Sequence, residues 1–490
     1  MKKNVLAFDF GASSGRAILG KYDNGQLNLE EVHRFPNNPI VDGEALYWDL
    51  PYLFEQILIG IRSANKKGTI DSLGIDTWGV DIGFLDQAGN LLKNPRNYRD
   101  PQTKGMIEKA NQKMSKRQMY QQTGNQIMEI NTLFQLMATQ TFEPELLERA
   151  DQFLFMPDLF NYLLTGKKAA ERSIASTGQL VNAETNVWDE TIRSTFELPE
   201  KIFPPLVDAG NLLGQTKVAF DFAPINVYNI CAHDTASAVV SIPSNQKFLF
   251  VSCGTWSLVG TELTEPILNE KAFSYNLTNE SGINGTTRFL KNCTGLWIIQ
   301  EFRRNLEALG RIYSFSELAK LADDEPAFQC YIDTDAAIFA EPGNMIERIQ
   351  QYAKETDQIV PITDGEIARC VYESLAMKYK YTFLEIVDAV EMEFDTINIV
   401  GGGSQATILC QMVANAANMR VCAGPVEATA IGNIAVQLKA QGVFETLNDV
   451  RAWGKGIAET TYYYPDETSR EWDRQFSIYQ KILKNKINEN

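Results

Sequence analysis

The residues of this chain best suited to chemistry are a few acids and a set of glycine-flanked hydroxyls. One of only two histidines lies in Cys231-Ala232-His233-Asp234-Thr235-Ala236-Ser237-Ala238. Asp234 could receive the proton of a hydroxyl as its oxygen attacks phosphorus, with His233 and Thr235 holding neighbouring hydroxyls. The same acid could instead cap the helix that the small residues begin, and local chemistry alone narrowly favours the cap. Three small-residue turns, Gly11-Ala12-Ser13-Ser14-Gly15-Arg16, Gly254-Thr255 and Gly401-Gly402-Gly403, offer backbone N–H and hydroxyl donors, and Arg16 adds a cation. Phosphoryl transfer asks for such donors around the phosphates, a metal, and a base for the incoming hydroxyl. Either of the first two turns alone is an ordinary hairpin; their recurrence points to a polyphosphate.

Asp9 ends an apolar run, Val5 to Phe8, where a carboxylate is costly to bury without a cation or donors. Magnesium held through water would answer that cost, and so would a cap on the adjacent glycine turn. Ile75-Asp76-Thr77-Trp78-Gly79-Val80-Asp81 combines an aromatic ring, a glycine and acids, a plausible wall for a sugar, although Trp78 equally suits a core. Asn292 carries an amide that can donate and accept to a sugar or serve a turn.

These residues need strands and helices to hold them. Val5–Phe10 reads as a strand, the turn after it as a hairpin, and Ala17–Gly20 as the returning strand. A helix is expected near residues 49 to 66, capped by Asp49, with Pro51 near its first turn and Phe54, Ile57, Leu58 and Ile61 on one face. Ser72–Asp76 reads as a buried strand. Phe248–Cys253, Gly254-Thr255-Trp256-Ser257 and Leu258-Val259-Gly260 repeat the opening hairpin, with Thr255 set over Ala12 and Ser257 over Ser14. Ile397–Val400 leads into the triple glycine and an apolar helix from 406 to 418, and Ala423–Asn433 leads into another. The expectation is two related domains, 1–243 and 244–490, gripping a polyphosphate in a cleft between them that closes to exclude water.

With 490 residues the chain is long enough for two large cores. Its 62 acids against 45 bases give a net charge of -17, which repels nucleic acid and anionic membranes but does not exclude a locally held nucleotide. Seven cysteines without a C-x-x-C pair read as buried thiols in the cytoplasm, and neither a signal segment nor a membrane span is read. No G-x-x-x-x-G-K-[ST] loop, G-x-G-x-x-G fingerprint after the first strand, H-E-x-x-H or G-x-S-x-G elbow is present.

The stretches Asp9 to Arg16, Gly74 to Asp81, Tyr98-Arg99-Asp100, Met156 to Gly166, His233 to Ala238, Gly254 to Leu258, Lys291 to Gln300, Val400 to Gln405 and Ala423 to Asn433 together resemble the FGGY carbohydrate kinases. The resemblance covers nearly the whole chain. It implies an α/β fold of two ribonuclease H-like domains of the actin and sugar-kinase type with an active-site cleft between them, 1–243 carrying the sugar site and base and 244–490 the ATP site. It further implies Mg2+ as cofactor, ATP as co-substrate, and transfer to the 1-hydroxyl of L-rhamnulose, or of a related ketose such as L-fuculose. Residue by residue, it makes Asp234 the proton acceptor and Gly79, His233, Thr235 and Asn292 the sugar contacts. Ala12, Ser13, Ser14, Gly15, Arg16, Thr255, Gln300 and Gly402 become the ATP contacts, and Asp9 the metal residue. A monomer or homodimer is implied. Disulfides are known in the family, but Ile346 stands where Cys370 would need its partner and Val413 and Ala417 occupy a second such pair, so none is expected. Two rivals remain: an actin- or chaperone-like ATPase, distinguished by hydrolysis without sugar stimulation, and a sugar-binding regulator without turnover.

Overall fold

The computed structural model describes residues 1–457 and 459–487; the last three positions of the expected second domain, 488–490, lie outside them. The chain divides into two units. The first comprises Met1–Asn245, Glu262–Phe289 and Ala428–Ile457; the second comprises Gln246–Thr261, Leu290–Glu427 and the described residues after Ile457.

In the first unit the opening apolar run becomes the strand Lys2–Phe10, paired antiparallel with Ser14–Asp23, which pairs in turn with Gln26–Pro36. Ser72–Thr77, buried at every position, adds in parallel to the other side of Lys2–Phe10, and Asn226–Asn229 and then Asn211–Gln215 complete six strands. Alternation along the first strand divides the work of the two sheet faces. Val5 and Ala7, with Ile18, pack against Ala430, Ile434 and Leu438 of the helix Ala428–Ala440. On the other face Phe8 lies against the helix Leu50–Asn65 so closely that a Cβ on Gly60 would stand 2.7 Å from its ring. That helix starts where expected: Asp49 accepts from the Tyr52 amide and Pro51 occupies the first turn. Leu53, Ile57, Leu58 and Ile61 form its buried face, with Phe54 only half-buried. Between the strands, residues 80–210 fold largely as helices around a second core that includes Phe84, Leu133, Phe134, Phe153 and Ile174.

The second unit repeats the hairpin. Leu249–Cys253 pairs antiparallel with the strand beginning at Trp256 and in parallel with Thr396–Val400, beyond which Arg420–Ala423 and Thr461–Tyr463 follow. The two turns differ by one residue. Phe10 pairs with Gly15 across four intervening residues, whereas Cys253 pairs with Ser257 across three. The equivalent closing bonds run from the Gly11 amide to the Ser14 carbonyl and from the Gly254 amide to the Trp256 carbonyl, both 2.9 Å. Trp256, rather than Ser257, therefore stands where Ser14 does. The 27-residue helix Asp364–Val390, opened by a Thr363/Glu366 capping box, runs through this unit with most of its residues buried. Among the described residues, no helix is long and apolar enough to cross a membrane.

Candidate active site

The site in the first unit grows from the ends of two adjacent parallel strands. Asp9 and Asp76 are register partners, so their side chains leave the sheet on the same face. Asp9 keeps 12% of its side chain accessible, and its Oδ2 is met by Arg16 at 2.6 Å. The cation beside this carboxylate is thus a guanidinium from the next strand, which the turn sequence alone did not reveal. Asp76 is completely buried. Its Oδ2 accepts from Asn433 at 2.6 Å, while Oδ1 finds no donor among the described residues. Burial, and then the negative charge of Asp9, drive the Asp76 pKa well above the carboxylate range. Among the described residues no group of three or more His, Cys, Asp or Glu side chains is arranged to hold a metal ion.

Asp234 reaches the same region from a different element. The Thr77 amide donates to the Ala232 carbonyl at 2.9 Å, and Thr77 bridges His233 in parallel fashion, so residues 232–233 extend the strand edge. The buried Glu171 fixes this turn, its Oε2 accepting from the Ala232 amide at 3.0 Å and from the Ser173 hydroxyl at 2.5 Å. The Ser173 oxygen in turn accepts from the His233 amide at 3.2 Å. The helix Asp234–Val240 then begins with His233 as its cap, not Asp234. Relieved of capping, the Asp234 carboxylate bends toward Thr235, and Oδ1 accepts from its amide at 2.5 Å and its hydroxyl at 3.1 Å. Oδ2 accepts no hydrogen bond from the described residues, and 30% of the side chain is accessible. Burial raises the Asp234 pKa, His233 opposes the rise, and Asp9 adds to it. A raised, partly open carboxylate with one free oxygen is what a general base needs.

Gly79 lies just beyond Ser72–Thr77, where a Cβ would come within 3.0 Å of the Thr177 hydroxyl. Trp78, read as a possible sugar wall, is core. Its ring lies tilted against that of Trp48, with centroids 4.2 Å apart, and both indole N–H groups donate to Asp81, at 2.9 and 2.6 Å. Gln135 and the Tyr98 amide complete the set, and burial still raises the Asp81 pKa to about 7. Gly79, His233, Asp234 and Thr235 are brought together around the strand end, with Arg16 and Asp9 on the neighbouring strands. Ala12 and Ser13 lie in the first turn, where the Asn37 amide donates to the Ser13 carbonyl at 3.0 Å; Ser14 and Gly15 begin the returning strand.

The second unit holds a separate cavity of 1090 Å³ lined by Gly254, Gln300 and Gly402, the aromatic rings of Phe328, Tyr372 and Trp472, and several polar groups. Its size and mixed lining suit a nucleoside. The Thr255 hydroxyl donates to Gln300 Oε1 at 3.3 Å, and the Gly295 and Leu296 amides donate to the Thr255 and Gly254 carbonyls, which tie the turn to the helix Trp297–Ala308. The three consecutive glycines serve three ends. Gly401 takes a left-handed φ of 80°, a Cβ on Gly403 would collide with the Cys253 sulfur at 2.1 Å, and Gly402 faces open space within the cavity wall. Asn292 also belongs to this unit, half-buried on the strand Thr287–Thr294. Sequence reasoning missed the aromatic lining, whose members lie 44 and 100 residues apart, and the buried support Glu171, for which local motifs carry no signal; it singled out the segment that ends at Asn433 but not that residue's bond to Asp76.

The model of the FGGY family of carbohydrate kinases, N-terminal domain, matches residues 4–241, and that of the C-terminal domain matches residues 249–441. The chain is 42% identical over 458 residues to the rhamnulokinase of Oceanobacillus iheyensis, covering 92% of this chain and 96% of that protein. It is 40% identical over 489 residues to the rhamnulokinase of Enterococcus faecalis, covering 98% of each. Among solved structures the fold matches a ligand-bound xylulose kinase from Lactobacillus acidophilus with a TM-score of 0.82 at 16% identity, over 99% of this chain and 98% of that one. It also matches Plasmodium falciparum glycerol kinase with ADP, with a TM-score of 0.79 at 14% identity over 99% and 98%.

Proposed function

The chain belongs to the FGGY family of carbohydrate kinases, and from that membership we propose that it moves the γ-phosphate of ATP to the 1-hydroxyl of L-rhamnulose, giving L-rhamnulose 1-phosphate and ADP in L-rhamnose breakdown. The observation that carries the choice of sugar is the near full-length similarity to rhamnulokinases. Asp234 takes the proton of the attacking hydroxyl on its unbonded Oδ2. Gly79, His233, Thr235 and Asn292 hold the sugar's remaining oxygens. The turn Ala12 to Arg16, with Thr255, Gln300 and Gly402, holds the nucleotide and its phosphates through backbone N–H groups, hydroxyls and one guanidinium.

The acids at the strand ends fit a dication. Asp76 is buried with one oxygen unbonded, beside an Asp9 carboxylate whose Oδ2 is met by Arg16. Asp9 would hold Mg2+ through water, and the ion would supply neutralisation of the phosphate charge. We place the reaction in the cytoplasm, consistent with seven buried free thiols, carried out by a monomer or homodimer.

Sugar-dependent ADP release tests the reading, with L-rhamnulose compared against L-fuculose, L-xylulose, D-xylulose, L-ribulose and glycerol. L-rhamnulose should give the highest kcat/KM, and Asp234→Asn should lower kcat by a factor of about 100 to 10,000. ADP release that no sugar stimulates would move the chain to the ATPase class.

A further inference from the structure

The imidazole of His233 is held from behind by two buried charged residues that nothing in the motifs singles out. Arg288 is 1% exposed and Glu280 is 4% exposed. The guanidinium is anchored on three sides. Its Nε donates to the Ser281 carbonyl at 3.2 Å, one terminal nitrogen donates to the Ser173 carbonyl at 3.3 Å, and the other lies 3.0 Å from Glu280 Oε2. That last nitrogen also lies 3.0 Å from His233 Nδ1. Such a pairing of buried charges costs more to assemble than an apolar substitute of the same volume. Its presence beside the proposed base calls for a use.

We infer that Arg288 and Glu280 are positioning residues that lock His233 in the tautomer with Nδ1 bare and Nε2 protonated, so that the ring presents a fixed donor beside Asp234. An arginine does not give up its protons in a protein, so the nitrogen that faces it at hydrogen-bond distance must accept. Glu280 Oε2 is 3.4 Å from the same Nδ1 and would by itself favour a proton there. Arg288 is closer and is tied to the Ser281 and Ser173 carbonyls, while Glu280 Oε2 accepts no hydrogen bond from the described residues, so the guanidinium wins. Nε2 then carries the hydrogen, 3.4 Å from Asp234 Oδ1. Oδ1 already accepts from Thr235 twice, which leaves Oδ2 as the oxygen free for an incoming proton. Resting on the kinase reading, His233 then offers the sugar a donor and no acceptor: it selects an oxygen lone pair next to the reacting hydroxyl. The opposite tautomer would turn a lone pair toward the Asp234 carboxylate and offer the sugar an acceptor in place of the donor.

The presence of two histidines in the whole chain makes the state of each nitrogen directly readable. Full-length protein labelled with 15N-histidine, examined without ligands by long-range proton–nitrogen correlation, gives two imidazole patterns, and His33→Gln identifies that of His233. The expected pattern is protonated Nε2 and bare Nδ1. The variant Arg288→Met combined with Glu280→Gln, which leaves no unpaired buried charge, should lose the single tautomer and lower kcat on the order of 100-fold while the KM for ATP stays put. Arg288→Lys, which keeps the charge and loses the fork, should recover only part of the rate. A wild-type pattern with the proton on Nδ1, or a double variant with tautomer and kcat both unchanged, overturns the inference. The spectrum needs no substrate, so a chain that phosphorylated a different acceptor would still show the tautomer, and the two readings fail separately.

Discussion

Burial gives Asp234 a pKa above its ordinary value, with opposite consequences for activity and stability. As the proposed base, Asp234 would work only when ionised, so the acid limb of kcat/KM should lie above about pH 4, the ordinary carboxylate value, and Asp234→Asn should abolish it along with most of the rate. Because the folded chain holds this proton more tightly than the unfolded chain does, stability contributed by the group is present below the ordinary value and is lost as pH rises through the raised one. Asp234→Asn should therefore melt at or above the wild-type temperature at neutral pH, as followed by calorimetry, while being nearly inactive; a variant destabilised at neutral pH would show that the ionised carboxylate is a net structural asset. At this scale the sequence was informative about Asp9, at the end of an apolar run, and Asp234, beside the small residues that begin a helix. It was silent about their neighbours: the helix cap passes to His233, and Arg16 reaches back to Asp9, because both depend on pairing across strands and not on adjacent residues.

Elements decide which glycines matter and why. Gly402 and Gly403 are adjacent and chemically identical, yet one faces open space and the other is pressed against Cys253. Gly403→Ala forces a methyl into a sulfur 2.1 Å away and should cost several kcal/mol, on the order of 1–3 or more for an overpacked core, seen as a lower melting temperature. Gly402→Ala should leave the melt nearly unchanged and weaken ATP binding measured by titration calorimetry, since the new methyl enters the cavity wall. Equal melting temperatures for the two variants would contradict the packing described here. The strand, turn and helix around these glycines were legible from apolar runs and punctuation. The division of labour within Gly401-Gly402-Gly403 was not, because it is set by a hairpin nearly 150 residues earlier. The same limit explains the repeat: two hairpins were visible in the sequence, but the one-residue difference between their turns emerges only from the pairing of Cys253 with Ser257.

At the scale of the whole molecule, the chain returns late to its first unit, and that return bears on how the unit folds. The strand face carrying Val5, Ala7 and Ile18 is covered by Ala430, Ile434 and Leu438, more than 400 residues later. The same helix supplies polar partners: Asn433 donates to Asp76, and Gln437 donates to the Leu6 carbonyl and accepts from the Ser72 hydroxyl. Residues 1–245 alone keep all six strands of the sheet but expose this face, giving up about 1.5–3 kcal/mol for each large apolar side chain left uncovered. They also strip the buried Asp76 of its donor. A fragment ending at 245 should therefore lack a cooperative thermal transition and bind an apolar dye such as ANS, whereas the full chain should melt cooperatively without binding it. Adding residues 428–457 as a separate peptide should reduce the dye signal, and the substitution Ile434→Asp in that peptide should abolish the rescue. A fragment that melts cooperatively without the late helix would mean that the first sheet carries its own core, and that residues 428–457 serve the site through Asn433 and not the fold.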